Sequence, residues 1–529
     1  MKKTAYTYLP FLVSVFLLCM IVYVIFPYYQ YYVDPDATGY LTVTRRYVEG
    51  DYMKAINGYW SPWSCWLAAL MEKYTRIGLM HCAVRVNTWG AIGFLFITHS
   101  FLVFFNIRRG LLWMIDLVLV VFLPYAVYGQ LFDDLWECFF LLSILRIMLR
   151  EDFKQKLWLW VVIGLLGTLA YFAKAYAFPF FILNTTVCTF FITRAWEKEN
   201  RALWLKICAV SIIVMIAGSL PWIYALHDKY GEWITSTAGK LNLSWYVVGH
   251  PYWKEGITHL VPPAHGDSPW YWEDPYLVNG ATPGGFSSLA MLKLQLVRIP
   301  YNLLKMVNCM NQLSLLFIVI SLVTVAIVFS KKVRSYFPDK LYIVGISFLL
   351  FPLAFALMNF EARYIWYMLP LNIIVGALLM QKLLVYFNEN RLLKISASAI
   401  FLASYLYWPV WEMKKMYNVG KRDYALAMEM TKQIGAGTSF TAIAAAGEQI
   451  QGLERVAYFS GNQYYTIPQP DISREELLSE MRKYNIKYYI YFYDPSEGDH
   501  FYFYNENGTP MPEIMSDKAY GIRVFRLLP

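Results

Sequence analysis

Runs of about twenty apolar residues recur along this chain, and no other feature limits its fold so strongly. The candidate spans are residues 8–27, 79–105, 111–129, 134–150, 157–173, 176–194, 203–224, 308–330, 340–358, 364–387 and 393–410, about eleven in all. In lipid, a crossing segment must satisfy its own backbone hydrogen bonds, which a helix does. The composition agrees: of 529 residues, 58% are hydrophobic and only 16% charged, against about 25% charged in soluble domains. The expected architecture is an all-α polytopic membrane domain.

The linkers between these runs give its orientation. Lys2-Lys3, Arg108-Arg109, Arg150 to Lys156, Arg194 to Lys206, Lys331 to Lys340 and Gln381 to Lys394 alternate with linkers poor in Lys and Arg. Cytoplasmic loops carry the positive excess, so these six mark the inside, with the N-terminus in and the C-terminus out. The net charge of +9 is dispersed over them rather than gathered into one patch, which argues against a nucleic-acid partner. The first run follows Met1-Lys2-Lys3, lacks a small-x-small cleavage site and leads into Tyr28, Tyr29, Tyr31 and Tyr32. It reads as a retained helix rather than a removed signal. The seven cysteines lie mostly within apolar runs and read as small buried hydrophobes; Cys65, in a loop, is the one candidate for reactivity.

Three outer stretches are long enough to fold: a loop at 28–78, a loop at 225–307 and a tail at 411–529. Residues 1–410 are expected to form the membrane domain with its two loops, and 411–529 a small extracytoplasmic α/β domain. In the tail, Asp423 to Ile434 and Ser473 to Tyr484 read as helical, and Arg455 to Phe459, Lys487 to Tyr493 and Gly521 to Leu528 as strands.

Ionisable residues near membrane segments are costly and invite a functional reading. Asp34 and Asp36 follow the first span, Asp133 and Asp134 lie between the third and fourth, Lys174 between the fifth and sixth, and Arg363 between the ninth and tenth. All fall at the outer boundary, which suggests an outward cleft with acids and bases. Taken singly, each has an equally good structural reading: Asp134, for example, is well placed to cap a helix. Asp116 falls towards the inner half of its span and reads as a buried polar contact. No Gly-rich phosphate loop is present, and an Asp-x-Asp on the outer side suits a lipid-linked sugar better than a nucleotide sugar. Of the histidines 227, 250, 259 and 265, His259 and His265 with Asp267 have no metal-ligand spacing that supports a divalent ion. The Trp and Tyr residues of the second loop suit sugar stacking or interfacial anchoring equally.

Val33-Asp34-Pro35-Asp36 with Tyr40, the Asp at the start of the fourth span, Ala173-Lys174-Ala175-Tyr176 and Glu361-Ala362-Arg363-Tyr364 with Pro370 together resemble the glycosyltransferase-C superfamily. Within it, the likeness is to the protein mannosyltransferase and aminoarabinose transferase group, and it covers most of residues 1–410. Pro221-Trp222, Lys229-Tyr230-Gly231 and Gly239-Lys240-Leu241-Asn242 resemble a bacterial branch of it. The resemblance implies transfer of a sugar from a polyprenyl-phosphate donor to a lipid, glycan or protein acceptor, at the outer face of a bacterial inner membrane. It makes a first-loop acid the catalytic group. Asp36 matches best because Tyr40 follows at the family's spacing, and Asp34 is the second candidate. Lys174, Arg363 and Tyr364 would bind the donor phosphate; Tyr40, Asp134, Arg45 and Lys54 would position substrate, with Arg45, Arg46 or Lys54 keeping Asp36 ionised. No cofactor is certain; a divalent metal is possible but has no ligand pattern behind it. Two rival readings are a transporter or flippase for a lipid-linked or anionic solute, and a polysaccharide polymerase or ligase using lipid-linked donors. The lack of an internal repeat and the gathering of charges at one face weigh against the first.

Overall fold

A computed structural model describes residues 2–129, 131, 133–248, 260–279, 284–387, 390–443, 447–466, 472–493, 503–505, 507–518 and 521–527. The chain divides into two compact units. One, the helical unit, comprises Met1–Pro27, Ser61–Ser236 and Ser288–Tyr417; the other, the mixed unit, comprises Tyr28–Trp60, Thr237–Ser287 and Asn418–Pro529.

In the helical unit, most expected spans fall on helices of nearly the same bounds. Thr7–Tyr29, Leu79–Phe104, Arg109–Gly129, Lys198–Tyr230 and Met368–Tyr386 are long and apolar enough to cross a bilayer. Leu157–Ala173, Ala177–Thr193 and Leu341–Leu357 are apolar but shorter, and Asp134–Met148 and Arg391–Met416 complete the set. The expected span at 308–330 is two helices instead, Leu289–Leu313 and Phe317–Phe329, bent by 113°. Side chains take over the backbone's bonding at the break. Ser314 Oγ accepts from the Leu316 amide at 3.1 Å and meets Ser404 Oγ at 2.9 Å, while the Leu315 amide donates to the Ser404 carbonyl at 3.2 Å. Small residues bring helices close: a Cβ on Gly164 would lie 2.6 Å from the Ser211 carbonyl oxygen, and one on Gly218 2.5 Å from Thr168 Oγ1. Asp116 does make a buried polar contact, at 2.8 Å from His99 Nδ1, with both residues fully buried. Cys65 is buried and so is not the reactive thiol that the sequence suggested.

The mixed unit is built from three separate stretches, so the boundary expected at 410 is not where the chain divides. The loop residues 28–60 and 237–287 are compact with 418–529 because their polar and aromatic groups find partners there. Val261, Trp270 and Tyr271 belong to the same apolar core as Leu426, Phe440, Leu453, Ile490 and Val524. The sheet has five strands, β1 (Ser439–Ala442), β2 (Gln463–Tyr465), β3 (Tyr488–Phe492), β4 (Glu513–Asp517) and β5 (Ile522–Arg526), in the order β2-β1-β3-β5-β4. β1 runs parallel to both β2 and β3, with the helices Gly447–Ser460 and Arg474–Lys483 as crossovers; β5 is antiparallel to β3 and β4. Ser473 caps the second crossover helix through a capping box with Glu476, which is the expected start. Arg455 to Phe459, expected as a strand, belongs to the first crossover helix. Its short apolar run fits either element, and burial of Leu453, Val456 and Ala457 at helical spacing decides it.

Gly420 precedes the helix Lys421–Ile434 at φ +80°, and a Cβ there would lie 2.0 Å from the Tyr31 carbonyl oxygen. Left-handed geometry alone disfavours a side chain by about 1–2 kcal/mol. Gly420→Ala is therefore expected to destabilise the mixed unit by more than about 2 kcal/mol, read as earlier thermal unfolding and faster proteolysis.

Candidate active site

The first-loop acids sit at the start of the helix Pro35–Glu49, where Pro35 provides a preset first turn. Asp34 is the N-cap, and its Oδ1 accepts from the Ala37 amide at 2.7 Å. That bond gives Asp34 a structural task, which any catalytic one must share. Asp36 lies in the first turn, and its Oδ1 accepts from Trp272 Nε1 at 3.0 Å. Trp272 is the group that sequence reasoning missed here: the loop carries several tryptophans and nothing local marks which one reaches the acid. It is stacked on Trp245 with ring centres 4.7 Å apart, and its carbonyl accepts from Trp60 Nε1 at 2.9 Å. Trp60 packs on Tyr40 at 5.0 Å and lies so near the helix that a Cβ on Gly39 would meet it at 2.6 Å.

The basic residues expected to keep Asp36 ionised have other carboxylate or aromatic partners. Arg46, 5% exposed, donates from Nε to Glu273 Oε1 at 2.8 Å and from Nη1 and Nη2 to Asp267 at 2.7 and 2.9 Å. Lys54 pairs with Asp51 at 2.9 Å and Asp267 at 3.0 Å. Arg45 places its guanidinium 5.4 Å from the Tyr458 ring centre. Partial burial raises the proton affinity of Asp267, but the hydrogen bonds from Arg46 and Lys54 outweigh it and bring its pKa to about 2. Asp267 is thus an anchor for two cations. His259 lies outside the described residues, as does His250, and no group of three or more metal-ligating side chains occurs among those described.

The helical unit carries a second constellation. Asp133, not Asp134, occupies the N-cap position of the helix Asp134–Met148, and its carboxylate accepts from the amide and hydroxyl of Ser64 rather than capping. Asp134 is buried and ion-paired with Lys174. Lys174 ends the helix Leu157–Ala173 in extended backbone, with its Nζ 4.9 Å from the Tyr364 ring centre. Tyr364 lies in the single turn Ala362–Ile365 with Arg363, whose guanidinium is 5.4 Å from the same ring. Glu361 accepts from Arg363 Nε at 2.8 Å and from the Tyr364 hydroxyl at 3.2 Å. Asp134, Lys174, Arg363 and Tyr364, four residues singled out from the sequence, therefore meet in one cluster. Glu137, a turn beyond Asp134, is also buried, and its Oε1 has no hydrogen-bond partner among the described residues. A carboxylate inside an apolar run at helical spacing from Asp133 and Asp134 was the available signal for it. Lys305 donates to Asn359 Oδ1 at 2.6 Å two residues before Glu361.

The helices and this cluster define the class: an integral membrane protein with a charged cluster at helix ends. No protein-family model matches the chain, and no curated protein matches it in sequence. Solved structures do. ArnT from Cupriavidus metallidurans in the apo state matches with a TM-score of 0.55 at 12% identity, over 99% of this chain and 98% of that one. The same protein bound to undecaprenyl phosphate matches with a TM-score of 0.55 at 12% identity, over 97% of each chain. The apo oligosaccharyltransferase from Archaeoglobus fulgidus matches with a TM-score of 0.53 at 11% identity, over 93% of this chain and 70% of that one. The chain shares its fold with these solved structures.

Proposed function

We propose that the protein is a membrane glycosyltransferase that moves a sugar from a polyprenyl-phosphate donor to an acceptor hydroxyl at the extracytoplasmic face of a bacterial inner membrane. The observation that carries this reading is the meeting of Lys174, Tyr364 and Arg363, from separate segments, in a fold also found in a protein crystallised with undecaprenyl phosphate. A departing lipid phosphate gains negative charge, and an ammonium and a guanidinium offset it. Each cation already has a carboxylate partner, so phosphate binding shares Lys174 with Asp134 and Arg363 with Glu361. Asp36 takes the proton of the attacking hydroxyl, as a general base. Attack opposite the leaving group inverts the anomeric carbon. Tyr40, Arg45 and Lys54 act in substrate positioning through the packing they provide around the first-loop helix, and Asp34 acts by fixing that helix's first turn.

The test is incubation of purified protein with polyprenyl-phosphate sugars, with release of free polyprenyl phosphate as the readout. Turnover with nucleotide sugars alone would overturn the reading. Trp272→Phe adds a second measurement, because it keeps the ring and loses the donor to Asp36. A hydrogen bond to a charged group contributes about 1.5–3 kcal/mol, so kcat/KM is expected to fall by about ten- to a hundredfold.

A further inference from the structure

The helix Pro35–Glu49 carries Asp36 in its first turn and Arg46 in its last, about 15 Å apart along the axis at a helical rise of about 1.5 Å per residue. The turn Tyr271–Glu273, in the same mixed unit, reaches both of them. Trp272 donates from Nε1 to Asp36 Oδ1 at 3.0 Å. The next residue, Glu273, is fully buried, and both of its carboxylate oxygens accept from Arg46: Oε1 from Nε at 2.8 Å and Oε2 from Nη2 at 3.2 Å. The backbone of the turn is tied as well. The Trp272 carbonyl accepts from Trp60 Nε1 at 2.9 Å, and the Glu273 carbonyl from Asn57 Nδ2 at 2.6 Å. Nη1 and Nη2 of Arg46 also donate to Asp267, which Lys54 holds at 3.0 Å. The acid end of the helix is held separately, from the tail: Arg455 donates from Nη1 to the Val33 carbonyl at 3.5 Å and from Nε to Asp423 Oδ2 at 2.5 Å.

A buried ion pair is a poor choice for stability alone, because a well-packed apolar pair of similar volume is often as stable or more so. What the pair supplies is geometry. A guanidinium fork on two carboxylate oxygens fixes distance and direction together, which an ammonium or an apolar contact does not. Glu273 adjoins Trp272 in a three-residue turn, so the grip of Arg46 on the carboxylate sets the turn from which the indole N–H reaches Asp36. We propose that Arg46 and Glu273 are positioning residues for the transfer: their ion pair fixes the turn that carries Trp272, and the indole holds Asp36 in the orientation that receives the acceptor's proton. This rests on the reading of Asp36 as the base.

The experiment is a mutant cycle on the purified full chain, assayed by transfer from a polyprenyl-phosphate sugar. One arm is Glu273→Gln, which keeps the size and one acceptor and leaves Arg46 paired with Asp267. The other is Arg46→Met with Glu273→Leu, which replaces the buried pair by apolar side chains and strands no buried charge. Glu273→Gln is expected to lower kcat about threefold and the apolar pair about tenfold, with the donor KM unchanged and the apolar pair as stable as wild type. Both losses are expected to vanish in the Trp272→Phe background, where the indole donor through which the pair acts is already gone. An ion pair that serves folding alone gives wild-type kcat per folded molecule, or losses that multiply with that of Trp272→Phe; either result overturns the proposal. Asp36→Asn separates the two readings. Wild-type transfer by that variant refutes the base and this inference with it, whereas an inactive Asp36→Asn beside a fully active apolar pair refutes only the positioning role.

Discussion

Asp36→Asn is expected to lower the rate of sugar transfer by about 10²–10⁴-fold, the usual contribution of a positioned general base, while leaving insertion and folding intact. The substitution removes one charge and keeps the shape. The amide oxygen of asparagine can still accept from Trp272 Nε1, the contact that fixes Asp36 at 3.0 Å, and the helix keeps its cap because that task belongs to Asp34. Loss of activity is therefore attributable to proton transfer rather than to collapse of the loop. Transfer at the wild-type rate by purified Asp36→Asn protein would refute the assignment.

Lys174→Met is expected to have two separable effects. Asp134 is 3% exposed and relies on Lys174 as its ion-pair partner, so removing the cation leaves a buried charge uncompensated, at a cost of about 3–5 kcal/mol. Expression and thermal stability should fall accordingly. The double variant Lys174→Met with Asp134→Asn removes both charges and is expected to regain most of that stability. It should remain inactive, because the ammonium over the Tyr364 ring is gone as well. Recovery of transfer together with stability would assign Lys174 to folding alone.

The helices were legible because each is long, apolar and ended by basic or polar residues, as with Leu79–Phe104 and Arg109–Gly129. The break at Ser314 was not, since the run 308–330 carries no charge, Pro or Gly to mark it and the groups that absorb the bend belong in part to Ser404, ninety residues on. The charged cluster of Asp134, Lys174, Arg363 and Tyr364 could be anticipated from a rule: ionisable residues at the ends of apolar runs need partners, and runs ending on the same side supply them. The partners of the first-loop residues followed no such rule. Asp267 is 213 residues from Lys54, and Trp272 is 236 from Asp36; both lie in a loop without periodicity. Assigning Arg46 and Lys54 to Asp36 was reasonable from proximity in sequence. Their hydrogen-bonded carboxylates include Asp267, which arrives from that distant loop. Arg455 to Phe459 misled for a local reason, five residues being too few to separate a buried helix from a buried strand.

The contact of Arg455 with the Val33 carbonyl joins residues 422 positions apart, and this has a bearing on biogenesis. The acid-bearing helix is made early by the ribosome, but its packing in the mixed unit waits for nearly the whole chain. Until β3 and β5 are made, Phe440, Val456 and Ala457 lack part of their apolar core. Contacts of such long range form slowly, and the interval leaves apolar surface open to chaperones and proteases. A ribosome that stops short, or a premature stop codon in the last strands, would thus release a protein whose helices are all inserted and whose first-loop acids are still without their support.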